Sequence, residues 1–230
     1  MPEPPVLLLG IDTCGPAGSV ALARLAAGSV ELLRETQLAG RTYSATLVAA
    51  VGKLLDDAGM RVADLGAIVV VNGPGSFTGV RVGLSAAKGL AEGARIPVAA
   101  VSRLEVLSWK AGVEASALDA HRGELFVRVA GYSHAPKELL ADKVELAALD
   151  PAPQRIAVCD ESAASLAGAA WPDVEIVQTA PPTAADALRL CAPRVVAGEF
   201  ADLALLDGHY LRRSDAEIFG NSVAPERQRP

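Results

Sequence analysis

The sequence predicts an α/β protein of two hairpin-led halves, each a mixed sheet flanked by helices, with the second half reduced. Three observations carry this. Continuous aliphatic runs at 6–12, 66–71 and 96–101 suit strands buried on both faces. At 42–58 and 78–93 the apolar period changes to steps of three and four, the mark of amphipathic helices. A second strand–turn–strand signal, 116–120 and 124–130 across His121-Arg122-Gly123, restarts the pattern late in the chain. With 230 residues, 51% of them apolar, and a mean hydropathy of +0.30, the chain fills a substantial core, which excludes disorder. Three cysteines in this length exclude a small disulfide scaffold.

In order, 6–12 is the first strand. The cluster Cys14-Gly15-Pro16-Ala17-Gly18 breaks it, 19–25 resumes as its hairpin partner, and 29–36 gives a third strand. Tyr43, Leu47, Val51, Leu54, Leu55 and Ala58 then fall on one helical face, with Gly59 as the stop. A strand at 66–71 ends in Asn72-Gly73-Pro74-Gly75, Thr78 is the expected cap of the next helix, and 96–101 is a strand. Strands and helices in this order imply a mixed sheet with helices packed on it. Beyond it, 102–109 reads as helix, 137–153 as irregular, and 155–159 and 174–177 as short strands, while Thr183 caps a helix reaching about residue 198. The tail after Arg213 is polar and aperiodic.

Lys and Arg number 21 against 27 Asp and Glu, a net charge of −6 with pI near 5.1, the opposite of a chain that grips phosphate backbones by itself. Cys14, Cys159 and Cys191 are far apart with no CxxC spacing, and Cys191 shares a stripe with Ala184, Ala187, Leu188 and Val195, the pattern of a small core hydrophobe. No stretch reaches the ~18 uncharged apolar residues of a membrane span, and the first eleven residues have neither basic lead nor cleavage signal. The expectation is a reduced, cytoplasmic protein with no membrane partner.

His121, His134 and His209 lie outside helical reach of one another, so no metal site follows from local sequence. Ser76 misses the GxSxG spacing by one residue, and its plain reading is a turn residue entering a helix. Asn72-Gly73-Pro74-Gly75-Ser76-Phe77-Thr78-Gly79-Val80-Arg81 joins a strand to a helix N-terminus, where a phosphate can sit, but it matches neither a P-loop nor GxGxxG. A tight structural turn explains it equally well. In the following helix Gly79, Gly83, Ala86, Leu90 and Gly93 make a stripe of mainly small side chains, costing up to ~1 kcal/mol per glycine unless a close neighbour compensates. The preceding helix has a small face of its own at Ala45, Ala49 and Gly52. The pair points to an interface with another chain through Tyr43, Leu47, Ala50, Val51 and Leu54 of one helix and Val80, Gly83, Leu84 and Ala87 of the other. The alternative is that both stripes are buried within this chain. Asp12 and Asp119 close the leading strands of the two halves, either as carboxylates for a magnesium–nucleotide or as turn-forming aspartates.

Several segments together resemble a known family: Leu9-Gly10-Ile11-Asp12-Thr13, the run from Asn72 through Val82-Gly83, Gly89-Leu90-Ala91, Val101-Ser102, Leu118-Asp119-Ala120-His121-Arg122-Gly123-Glu124-Leu125-Phe126 and Tyr210-Leu211-Arg212. They are similar to the TsaB family of bacterial tRNA threonylcarbamoyladenosine biosynthesis proteins. The likeness runs from about residue 7 to 213, loosely over 139–198. It implies a two-lobed actin-like, ribonuclease-H-like fold: residues 1–103 the first lobe, 104–213 the second and smaller, 214–230 a polar C-terminal tail. It implies a non-catalytic subunit, cytoplasmic, that binds and stabilises the paralogous transferase TsaD through first-lobe helices. TsaE joins as the ATPase, tRNA is met only through the complex, and the chain alone forms a homodimer. ATP and metal belong to the partners, with no intrinsic cofactor. The helix at 43–58 lacks the metal-binding histidines of the transferase and has Tyr43 where a histidine is common. The stretch Ile156-Ala157-Val158-Cys159-Asp160-Glu161 lacks the Gly-Gly turn of active actin-like kinases. The resemblance therefore implies a vestigial nucleotide cleft at Asp12, Thr13, Gly73, Gly75, Ser76 and Asp119.

Two other functions compete. One is an ATP-dependent kinase or acyltransferase acting alone through Asp12 and Asp119. The other is a peptidase, for which the sequence offers neither metal ligands nor a nucleophile motif.

Overall fold

The aliphatic run Val6–Asp12 (β1) is buried from Leu7 onward and forms the centre of a five-stranded sheet. The computed structural model describes residues 4–40, 42–129 and 136–212. On one side β1 pairs antiparallel with Ala17–Ala26 (β2), which pairs antiparallel with Ser29–Ala39 (β3). On the other it pairs parallel with Ala67–Val71 (β4), which pairs parallel with Val98–Val101 (β5). All five residues of β4 are buried, as a central strand covered on both faces requires. Edge strand β3 is mostly exposed and carries Glu31, Arg34 and Glu35, charges that discourage edge pairing.

Tyr43–Asp56 (α1) and Phe77–Ala94 (α2) cover one face of this sheet. The cap of α2 is Ser76 rather than the expected Thr78: Ser76 keeps ψ at 116°, outside the helical range, and its hydroxyl accepts from Gly79 N at 3.3 Å.

The second half repeats the plan. Ala115–Asp119 (β6), Glu124–Val129 (β7), Lys137–Asp142 (β8), Arg155–Val158 (β9) and Glu175–Gln178 (β10) stand in the order β10-β9-β6-β7-β8, matching the first sheet strand for strand. Each half runs three strands, then helix, strand, helix, strand, helix. The helices of the second round are Lys143–Ala147 (α4), Glu161–Ala170 (α5) and Ala184–Val196 (α6), while Arg103–Ala111 (α3) closes the first. This doubled arrangement is the two-lobed actin-like, ribonuclease-H-like plan.

The segment 137–153, expected to be irregular, contains β8 and α4. Five residues are too few to show a period, and α4 is held by a reciprocal Asp142–Glu145 cap. Helix α5 had no sequence signal because its buried stripe is only Ala163, Ala167 and Ala170. Ala130, at the end of the expected second hairpin, and the tail 214–230 lie outside the described residues, as does His134.

The closing helices are exchanged between the halves. Helix α3, although it follows β5, packs on β6, β7 and β9, with Leu104 and Leu107 beside Leu118, Phe126 and Ala157. Helix α6 returns across the first sheet, so close over β1 that a Cβ at Gly10 would meet Ala184 O at 2.8 Å. A division at 103/104 therefore leaves α6 across the boundary from the sheet it covers. Its Cys191 is fully buried with Ala184, Ala187 and Leu188, and burial pushes the thiol up to about 12, consistent with a core role. The exchanged helices touch: Lys110 bonds Asp186 at 2.7 Å, and Arg194 pairs with Glu105.

Candidate functional site

Two concave surfaces meet at the N-terminus of α2. A cavity of about 1370 Å³ opens between the halves, and a shallower groove of about 580 Å³ runs between α1 and α2 on the outside. Phe77, Thr78, Arg81 and Val82 line both.

The cleft begins where β1 ends. Asp12 accepts from Cys14 N at 2.9 Å, and Asp119, ending β6, accepts from His121 N at 2.8 Å. The two aspartates make the same local turn at equivalent places in the two halves. Their surroundings differ. Asp119 keeps a quarter of its side chain exposed and meets His121 Nδ1 at 2.9 Å. Asp12 is 1% exposed, and Arg103 Nε from α3 stands 3.5 Å from its free oxygen. Arg103 lines the cavity and Asp12 lies behind it. Burial works against the Arg103 charge, but the Asp12 carboxylate, with Cys14 and Cys159 adding, outweighs it and raises the guanidinium pKa. The Cys14 thiol donates to Val71 O at 3.2 Å, and burial, with Asp12 adding, pushes its pKa well above the usual thiol range.

The Gly-Pro-Gly run is a structural turn packed on this one. A Cβ at Gly75 would overlap Cys14 O, and one at Gly79 would overlap Thr13 O. Gly73 has φ +117°, and Ser76 caps α2. Thr13, fully buried, donates to Gly79 O at 2.7 Å. The glycines at 79 and 83 are thus explained by close approach of this chain's own β1–β2 turn, while Gly89 and Gly93 meet nothing within 4 Å.

This bears on the residues expected at a partner interface. Tyr43, Leu47, Val51, Leu54, Val80, Gly83, Leu84 and Ala87 are all buried in the single chain, and Ala50 is half-buried against the same core. The apolar stripes that drew attention in the sequence face inward because the sheet and the β1–β2 turn cover them. The outer face of the pair belongs to their neighbours. Val48 is 67% exposed and Phe77 41%, with Ser44, Arg81 and Ser85 also outside. Tyr43 and Leu47 reach the groove floor, where the Tyr43 hydroxyl donates to Gly15 O at 2.8 Å.

A strap of residues 209–212 lines the cleft. His209 N donates to Asn72 O at 2.7 Å, Tyr210 packs against Phe77 with ring centroids 5.2 Å apart and planes tilted by 48°, and Arg212 pairs with Glu124. Arg81 lies 3.8 Å over the Phe77 ring, a cation–π contact that fixes both. Glu138 on β8 gathers Ser102 at 2.6 Å, Arg128 at 2.8 Å and His209 at 2.8 Å. Sequence reasoning passed over Arg103 and Glu138 and weighed His209 only as a metal ligand. Their one signal was position, Arg103 directly after the Ser102 cap and His209 before the Tyr210-Leu211-Arg212 motif. Among the described residues no group of three or more His, Cys, Asp or Glu side chains is placed to hold a metal, and no helix is long and apolar enough to cross a membrane.

The family model of TsaD, tRNA N6-adenosine threonylcarbamoyltransferase, matches residues 36–153, just over half of the chain. The chain is similar to the tRNA threonylcarbamoyladenosine biosynthesis protein TsaB of Bacillus subtilis, 34% identical over 151 residues that cover 60% of this chain and 65% of that protein. The Escherichia coli protein of the same name is 36% identical over 125 residues, 52% of each chain. The matched stretches thus span between half and two thirds of these relatives' own length. Among solved structures, YeaZ from Pseudomonas aeruginosa is similar at 27% identity and a TM-score of 0.68, covering 90% of this chain and 100% of that one.

Proposed function

We propose, from the premise that this chain belongs to the TsaD family of tRNA N6-adenosine threonylcarbamoyltransferases, that it is a non-catalytic subunit of the assembly that forms threonylcarbamoyladenosine in tRNA. It docks and stabilises a paralogous transferase, TsaD, through the outer face of α1 and α2. The observation that carries this is the groove between those helices, where Val48 stands 67% exposed beside Phe77 and Arg81. A groove that gathers Val48, Phe77, Val82 and Ala86 between two helices is the kind of apolar surface that a protein partner covers. The buried members of the pair, Val51, Leu54, Val80, Gly83, Leu84 and Ala87, hold the platform in shape. The relatives named TsaB support the pathway.

In this reading TsaE is the ATPase of the assembly, tRNA is met only in the complex, and the protein works in the cytoplasm. It carries no intrinsic cofactor, ATP and metal being held by the partners. Without the transferase it pairs with a second copy of itself. The alternative, an ATP-dependent kinase or acyltransferase acting alone, draws on the cleft volume. It is the weaker reading because Asp12 lies behind Arg103.

Reconstitution tests the proposal. Transferase and ATPase from the same organism, with tRNA, threonine, bicarbonate and ATP plus the enzyme that makes the activated threonylcarbamoyl donor, are assayed with and without this chain. Modification is expected only when it is present. Full modification in its absence, or ATP turnover by the chain alone, overturns the reading.

A further inference from the structure

The wall of the cleft holds a charge from each half, Arg103 lining it and Asp12 behind. Asp12 sits on β1 of the first sheet, 1% exposed, and Arg103 opens α3, the helix packed on the second sheet, 5% exposed. Their nearest atoms, Oδ2 and Nε, stand 3.5 Å apart, and neither has a hydrogen-bond partner among the described residues. Withdrawing two ions from water is costly, and an ion pair offsets that cost only with good hydrogen-bond geometry. This pair lacks such geometry, so stability alone does not account for it.

Its position does. The guanidinium presses on the β1–β2 turn, for a Cβ at Gly15 would overlap its Nη2. In this place the turn of one half faces the cavity, Pro16 offers no amide hydrogen, and Arg103 covers the carboxylate. A hydrated divalent cation needs a reachable carboxylate, and Asp12 is screened. An anion needs an uncompensated cation, and Arg103 is already neutralised by Asp12.

We infer that Arg103 is a resident counter-ion for Asp12, which fills the charged end of the cleft from within and pins the two halves together without any ligand. The charged end of this cleft is a sealed joint, and each member of the pair masks an ion site formed by the other. The inference goes beyond the subunit reading and does not depend on it, since its test uses this chain alone.

The test is thermal unfolding of the full chain in magnesium chloride, in inorganic phosphate and in magnesium–ATP. The wild type is expected to keep the same Tm in all three. Asp12→Ala frees the guanidinium, so its lowered Tm is expected to rise by several degrees with phosphate and not with magnesium. Arg103→Ala frees the carboxylate, and the response is expected to reverse: magnesium raises Tm and phosphate does not. Should either single variant fail to fold, the double variant Asp12→Leu, Arg103→Met decides. It is expected to be more stable than either single variant, because no unpaired charge is left buried, and indifferent to both ions, while losing the Asp12 acceptor of Cys14 N. A wild-type protein stabilised by magnesium–ATP or phosphate overturns the inference. So do folded single variants with no ion response, and so does a folded double variant whose Tm rises with either ion.

Discussion

Changing Tyr43 to phenylalanine removes one hydroxyl from the groove floor. That hydroxyl is buried, donates to Gly15 O at 2.8 Å, and ties the start of α1 to the β1–β2 turn. The variant keeps the ring and leaves the Gly15 carbonyl without its donor, a loss of about 1–2 kcal/mol. For a chain of this size that is a fall in Tm of about 2–8 °C at neutral pH. The effect has a pH signature. Burial, with the Asp12 charge adding, raises the phenol from its ordinary 10 to about 12. A group whose folded pKa is raised contributes fully below its unfolded pKa, and the contribution fades as pH rises through the folded value. The stability gap between wild type and Tyr43→Phe, read by urea denaturation, is therefore constant up to about pH 10 and shrinks toward pH 12. Equal stability at neutral pH, or a gap that persists at pH 12, refutes the reasoning.

Glu138→Gln tests the joint between β8, the α3 cap and the strap. Burial opposes ionisation of Glu138, but His209, Ser102 and Arg128 outweigh it and hold the carboxyl below its ordinary range. The charge thus contributes stability above the ordinary carboxylate pKa, and that contribution is lost as pH falls through the lowered folded value. The variant should lose about 1–3 kcal/mol at pH 7, His209 being partly exposed, and converge on the wild type in strong acid. Gly79→Ala and Gly89→Ala are expected to differ in sign. The first pushes a methyl into Thr13 O and costs about 1–3 kcal/mol, while the second, with nothing within 4 Å of its new methyl, gains up to about 1 kcal/mol. Chemical denaturation of the two variants side by side checks this.

The first half was legible because its strands are unbroken aliphatic runs and its long helices repeat their period several times. β4 needs only Ala67, Ile68 and three valines to be read as a buried strand. The second half was harder because α5 is lined with alanine and α4 has five residues, below any periodic window. The doubling, weak in the sequence, is plain in the strand orders. For the site, the glycine-rich run was found but its purpose was not. Sequence shows small residues without showing what approaches them, and here it is the chain's own Thr13 and Cys14 carbonyls. For the same reason an apolar stripe such as Tyr43, Leu47, Val51 and Leu54 does not tell an internal neighbour from an external one, whereas Val48, apart from the stripe, faces outward. The exchange of α3 and α6, which delivers Arg103 to Asp12, joins residues 91 positions apart and leaves no local trace.

The subunit reading rests most directly on the outer face of α1, and Val48→Asp addresses that face alone. Val48 is 67% exposed, so the variant should fold within about 0.5 kcal/mol of the wild type. Its affinity for the transferase paralogue, measured by calorimetry, should fall by about tenfold or more, since an unpaired carboxylate buried in an apolar groove costs at least about 1.4 kcal/mol. Val144→Asp, on α4 and 76% exposed, serves as the distant control and should bind as the wild type does. A folded Val48→Asp protein that binds the transferase with unchanged affinity contradicts the account.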